Sequence, residues 1–179
     1  MANNDTSKIG ETTFYRYMDT IGDGSGNKNF NGDYSLAAEQ AILKPPVGMV
    51  MECERMLVSL HASKGMTVQI YGSDVALTNG IQIKTADDIG DLKNITDSVP
   101  IKKNADWGAL CYDVDFKTWG TGNEELLVRF TFSKAGKPIR LDGNRGEKLI
   151  VGLFDDHSGS IEHKFQVQGI EYKRSQSLV

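Results

Sequence analysis

The chain has 179 residues, of which 39% are hydrophobic and 25% are charged, and its formal net charge is −4. This length suits one domain with its own core, and no apolar run approaches the roughly 18 residues that a membrane span requires. The negative charge disfavours binding to nucleic acid and to anionic membranes, because a surface of like sign releases no counterions there. We therefore expect a soluble protein with no nucleic-acid or membrane partner.

Residues 1–33 are polar and rich in Gly, Asn, Asp, Ser and Thr. Such a segment buries too little apolar area to offset its ordering entropy, so we predict an extended N-terminal arm over residues 1–33 and a domain over residues 34–179. The aromatic patch at residues 14–18 could add a strand to a sheet edge, on this domain or on a neighbouring subunit. No signal peptide is recognisable, which predicts synthesis in a cytoplasm.

The next segments favour strands. Residues 35–43 fit either a short helix or a strand. Residues 49–61 form a long β-prone run whose apolar positions change parity near Arg55, which predicts a β-bulge. Residues 66–71 are predicted to complete a hairpin with that run. Asn79 and Gly80 form a dipeptide that is typical of a hairpin turn.

The clearest architecture lies at residues 107–132. Apolar and polar residues alternate along two arms, and the turn between them, residues 118–123, contains two glycines. Period-two alternation places one face in a core and leaves the other at solvent, so these arms predict an antiparallel strand pair. The predicted core-facing residues are Leu110, Tyr112, Val114 and Phe116 in the first arm and Leu126, Val128, Phe130 and Phe132 in the second.

Short strands are also predicted at residues 139–141, 148–154 and 161–172. About eight short strands, with glycine-containing turns roughly every 10 residues, predict an all-β fold. We expect an antiparallel β-sandwich, with the jelly roll as one form of it.

No cofactor or metal site is predicted. Cys53 and Cys111 match no metal or redox spacing and are expected to be reduced thiols. The glycines at residues 22, 24 and 26 follow no apolar strand and precede no Gly-Lys-Ser/Thr sequence, which disfavours a phosphate loop. A calcium loop at residues 23–34 would need glycine where Lys28 stands, so an EF-hand is excluded.

Two histidines occur near acidic residues. His163 lies on a predicted strand, whereas His157 lies in a polar turn with Asp155 and Asp156, so the two imidazoles need not converge. The predicted arrangement is a satisfied strand histidine and a solvated turn. With neither a nucleophile elbow nor an HExxH motif in the chain, we do not expect an enzyme.

Trp107 and Trp119, with Tyr71 and Tyr112, could form an aromatic platform for a sugar ring. Tyr112, however, follows the apolar alternation, and both tryptophans flank turns where large side chains seal the ends of a sandwich. We favour this structural interpretation and keep glycan stacking as the alternative.

The sequence as a whole resembles a family of small structural proteins of tailed bacteriophages, especially marine ones. The resemblance is carried by five segments, residues 19–35, 51–72, 77–81, 107–132 and 137–156. The resemblance covers residues 19–172 and contains no catalytic signature. It implies a β-sandwich present in many copies on the virion, most simply a capsid decoration or cement protein. The implied partners are the major capsid protein and other copies of this chain, for example in a trimer.

In this interpretation the arm adds a strand to a neighbouring subunit. The alternatives are a tail or head-fibre module that recognises host carbohydrate, with Trp107 and Trp119 as stacking residues, and a head–tail connector component. The residues expected to contact a capsid subunit are Thr13, Phe14, Tyr15, Arg16 and Tyr17.

Overall fold

The computed structural model describes residues 9–62, 78–94, 112–118, 124–132 and 138–174. Within these residues the chain forms ten β-strands and one short 3-10 helix, Gly143–Arg145. The strands are β1 Ile9–Tyr17, β2 Glu39–Leu43, β3 Met49–Ala62, β4 Ile81–Ala86, β5 Asp91–Asn94, β6 Tyr112–Thr118, β7 Glu124–Thr131, β8 Ile139–Asp142, β9 Lys148–Leu153 and β10 Ser160–Lys173.

The strands form two antiparallel sheets. The first has the order β1-β10-β3-β7-β6, with β8 also paired to β3, and the second has the order β2-β9-β4-β5. The predicted all-β sandwich is confirmed. Of the two possibilities left open for residues 35–43, the structure has a strand, β2, which pairs with β9.

One hydrophobic cluster draws side chains from both sheets. Burial of this kind supplies the main stabilisation of a sandwich, because each strand turns its apolar face inward. The largest fully buried side chains are Phe30, Phe165, Met18, Leu43, Met51, Met56, Leu60, Ile81 and Ile83.

The central pair is confirmed by β6 and β7. These strands are antiparallel, with Tyr112 opposite Phe130 and Val114 opposite Val128. Phe130 and Phe132 are buried as the alternation predicts. Leu110 and most of the connecting turn lie outside the described residues.

The β-bulge predicted near Arg55 is confirmed. Arg55 pairs with Gln168 and Cys53 pairs with Gly169, so Glu54 is the extra residue of β3. A Cβ at Gly169 would lie 2.0 Å from the carbonyl oxygen of Glu52, which explains why glycine stands opposite the bulge.

Of the two possibilities for the aromatic patch, the structure has the strand added to this domain, and the described N-terminal residues do not form a separate arm. In the described part of this segment, β1 pairs with β10 of the same chain, and Phe14, Met18 and Phe30 are 6%, 1% and 0% exposed. Three large apolar side chains are enough to anchor an otherwise polar segment, because burying each one stabilises the fold. The average composition of the segment does not show this contribution. Residues 9–33 are therefore part of the sandwich, and the boundary at residue 33 does not separate an arm from a core.

The hairpin predicted between residues 49–61 and 66–71 cannot be followed, because residues 66–71 lie outside the described residues. The described part of the chain contains no helix with the length and apolar character needed to cross a membrane.

Candidate functional site

The outer edge of β1 is open among the residues that the structure describes. The backbone N–H of Met18 donates to the carbonyl of Phe165 at 2.9 Å, and the register with β10 is continuous from Thr12 to Tyr17. Successive residues of an antiparallel strand direct their backbone groups to opposite sides, and the N–H of Met18 points toward β10, so the backbone groups of Tyr17 and of every second residue before it point away from β10. The outward-facing backbone groups therefore belong to Thr13, Tyr15 and Tyr17.

The side chains of β1 hold this edge in place. Phe14 is buried in the core, and Arg16 Nη2 lies 2.8 Å from both carboxylate oxygens of Glu171 on β10. On the outer face, Tyr15 is 56% exposed, its hydroxyl donates to Gln166 Oε1, and its ring centroid lies 6.3 Å from that of Tyr17. The edge is therefore a rigid strand, because it is fixed from both faces of the sheet.

The glycine-rich loop after β1 is organised by Asp19. The Asp19 carboxylate accepts hydrogen bonds from the backbone N–H groups of Ile21, Gly22 and Gly26. Asp19 also exchanges two backbone hydrogen bonds with Ile42 of β2, at 2.7 and 3.2 Å. This loop thus connects the first sheet to the second. Its three N–H groups already donate to the Asp19 carboxylate of the same chain.

The prediction of a satisfied strand histidine is confirmed for His163, which lies in β10, but the prediction of a solvated turn at His157 is wrong. His157 and His163 are both fully buried, and their ring centroids lie 4.9 Å apart. The turn that holds His157 folds back because the N–H and the hydroxyl of Ser160 both donate to the carbonyl of His157, at 3.1 and 2.7 Å. Sequence analysis missed the pair because residues 29–34, far away in the chain, cover both rings.

Burial sets the protonation of this pair. It lowers the pKa of His157 from 6.5 to about 4, although Asp155 and Asp156 oppose the shift. The pKa of His163 is lowered well below 6.5 by burial and by the neighbouring His157. Both imidazoles are therefore neutral near pH 7, and Nδ1 of His163 lies 3.0 Å from the carbonyl oxygen of Phe30.

Asp155 shapes the turn before β4. Its buried carboxylate accepts hydrogen bonds from the backbone N–H groups of Thr78, Asn79 and Gly80, the last at 2.6 Å. Gly80 has a φ of 72°, as expected for the second residue of an Asn-Gly turn. A carboxylate that receives three backbone N–H groups is a structural cap.

Of the remaining predicted residues, Cys53 is a free and fully buried thiol whose pKa is raised by burial to about 12. Cys111, Trp107 and Trp119 lie outside the described residues. No group of three or more His, Cys, Asp or Glu side chains in the described ranges could hold a metal ion.

Comparison with protein-family models found no match. No curated protein matches the chain. No solved structure matches it either. Among the described residues, β1 is one of the strands at the end of a sheet, and its outward backbone groups have the geometry that pairing with a further strand requires.

Proposed function

We propose that this chain is a structural component of a virion, a capsid decoration or cement protein of a tailed bacteriophage. The sequence resemblance supports the virion assignment. The proposed binding mechanism is strand addition at the open edge of β1. A rigid edge with outward backbone groups at Thr13, Tyr15 and Tyr17 can accept a strand from another chain. That partner is the major capsid protein or a second copy of this protein.

The proposed action is mechanical. A protein that binds the assembled shell more tightly than the unassembled or unfolded subunit stabilises the shell by mass action. Since Phe14, Met18 and Phe30 belong to the core, the binding element is the exposed edge of a folded strand.

We also propose that the sandwich is a jelly roll. In an eight-stranded jelly roll, one sheet has the order first, eighth, third, sixth and the other has second, seventh, fourth, fifth. If the β6–β7 hairpin is treated as an addition, β1-β10-β3-β8 and β2-β9-β4-β5 have this order. Jelly rolls occur in viral capsids, lectins and cupins, so this topology is compatible with the proposed virion role.

The first test is the copy number of this chain in purified particles, measured by quantitative mass spectrometry against the major capsid protein. Hundreds of copies are expected for a protein that covers the lattice. About a dozen copies or fewer would contradict decoration and favour a neck, tail or connector component. Absence from the particles would overturn the virion assignment.

The second test addresses the edge itself with Tyr15→Pro. Proline removes an outward N–H but no bond to β10, so the sandwich should fold. A hydrogen bond left unmade costs about 1–3 kcal/mol, so capsid affinity should fall by about 5- to 150-fold. Tyr15→Ala is the matched control, since it removes the ring and keeps the N–H. Equal binding by Tyr15→Pro and Tyr15→Ala would refute strand addition at this edge.

The alternative is a module that recognises host carbohydrate. The exposed Tyr15, beside Tyr17 and the amide of Gln166, offers an aromatic and polar surface of the kind that sugars bind. In this case Tyr15→Ala should lose glycan binding on an array of host polysaccharides, and Trp119→Ala tests the tryptophan chosen from the sequence. Glycan binding unaffected by both substitutions would eliminate this alternative.

A further inference from the structure

Residues 29–34, here called the strap, run beside residues 155–163 and cover the two buried histidines. Asn29, Asn31 and Asp33 belong to no strand of either sheet, and Asn31 and Asp33 are exposed. Backbone hydrogen bonds join the strap to the histidine segment: Phe30 N–H to the His163 carbonyl at 2.8 Å, His157 N–H to the Gly32 carbonyl at 2.9 Å and Tyr34 N–H to the Asp155 carbonyl at 3.1 Å. Side chains of the strap add further bonds: Asn29 Oδ1 accepts from the N–H of His163 at 2.7 Å, and the amides of Asn29 and Asn31 donate to the carbonyl of Ile161 at 2.8 and 3.5 Å.

The imidazoles lie directly beneath the strap. Nδ1 of His163 contacts the carbonyl oxygen of Phe30, and the His157 ring lies 6.0 Å from the ring of Tyr34. On the other side, the His163 ring lies 4.7 Å from that of Phe165. A proton on either imidazole would place a charge inside the apolar core, and the hydrogen bonds of the strap would have to open for water to reach it.

The charged groups around the two histidines offset only part of the cost of protonating a buried imidazole. Asp155 and Asp156 attract a proton to His157, but the carboxylate of Asp155 already receives three backbone N–H groups. The titratable groups on the strap are Tyr34 and the exposed Asp33, whose carboxylate accepts hydrogen bonds from the N–H and the hydroxyl of Ser35, and each imidazole repels a proton on the other. On β10, Glu162 and Lys164 flank His163, point to the opposite face and pair with each other at 3.2 Å. On β3, the residue opposite His163 is the apolar Leu60, and His61 lies on the opposite face.

We propose that the strap is an acid-sensitive latch, which opens when the buried imidazoles of His157 and His163 take up protons while the two sheets remain folded. Opening is local because the strap belongs to no strand of either sheet, whereas β1 and β10 are joined along their length, and the buried side chain of Phe30 stays in the core. Opening would expose the rings, and the open state becomes progressively more populated as the pH falls below about 6.5.

The size of the effect follows from proton linkage. If His157 has a pKa of 6.5 in the open state and about 4 in the closed state, the equilibrium constant for opening rises about 20-fold between pH 7 and pH 5. If His163 takes up a second proton in the same opening, the increase reaches several hundredfold.

Hydrogen exchange measured by mass spectrometry on the full chain tests the latch. Rates at pH 7 and pH 5, corrected for intrinsic exchange, are compared for peptides from the strap, from residues 155–163 and from β9. The expected result is a loss of protection of 20-fold or more in the first two, with β9 unchanged. Equal protection of the strap at both pH values would overturn the proposal, and so would a simultaneous loss in all three peptides.

A variant assigns the effect to the buried pair. His157→Phe combined with His163→Gln removes both titrating groups and keeps an amide donor near the carbonyl of Phe30, so the strap should exchange alike at pH 7 and pH 5. His61→Gln is the control, because His61 lies on the outer face of β3 and should leave the acid response intact. An acid response in the double variant equal to that of the wild type would refute the assignment. If the double variant does not fold, the wild-type comparison of the strap with β9 still decides the proposal.

Discussion

Phe30 offers a direct measure of how firmly the N-terminal segment belongs to the domain. Its side chain is 0% exposed, and its ring centroid lies 5.6 Å from that of Phe165 at an interplanar angle of 62°. Replacing a buried phenylalanine by alanine costs about 3–5 kcal/mol, because apolar contacts are lost and a cavity remains. The edge-to-face pair with Phe165 adds about 0.5–1.5 kcal/mol of coupling. Since domains of this size are stable by about 5–15 kcal/mol, Phe30→Ala should remove a large fraction of the total.

Urea unfolding followed by fluorescence or circular dichroism gives the free energy of unfolding of Phe30→Ala. With a slope of about 2 kcal/mol per molar urea, a loss of about 4 kcal/mol moves the midpoint by about 2 M. Leu36→Ala is the matched control, because Leu36 is 97% exposed and its removal should change stability by no more than about 0.5 kcal/mol. A Phe30→Ala loss below about 1 kcal/mol at an unchanged slope would mean that the strap does not pack on the core.

Three further predictions follow from burial. The Cys53 thiol, whose pKa is raised to about 12, should resist alkylation at pH 8 in the native protein and react only in denaturant. The pKa values of His157 and His163 lie below 6.5 in the folded state, so the unfolded chain binds more protons as the pH falls below 6.5. Unfolding free energies measured by urea titration should be similar between about pH 7 and pH 8 and lower by about 1.5 kcal/mol or more at pH 5. Gly169→Ala should destabilise the protein by several kcal/mol in thermal unfolding, because the new methyl group meets the carbonyl oxygen of Glu52; an unchanged melting temperature would show that the bulge can move aside.

The features that sequence analysis predicted correctly are local. The alternation that gives β6 and β7 and the parity change beside Arg55 are visible within a dozen residues, because a strand shows its two faces with a period of two. The all-β class follows from many such runs. No contact between distant segments is needed to predict any of these features.

The features that were missed depend on distant contacts. The strap is joined to His163 across 134 residues, and His157 is buried only because the strap covers it. The polar average composition of residues 1–33 also gave no indication that Phe14 and Phe30 are buried in the core. The outward direction of the Tyr15 backbone depends on the register with β10, which the sequence does not reveal.

The pairing of β3 with β10 has a consequence for synthesis. Ser160 lies opposite Ala62, so one long edge of β3 waits for a partner that is translated about a hundred residues later. At about 5–20 residues per second, a ribosome needs roughly 5–20 s to cover that distance. During this interval the backbone groups along that edge of β3 have no β10 to pair with. An unpaired strand edge beside apolar side chains is prone to aggregate or to bind a chaperone.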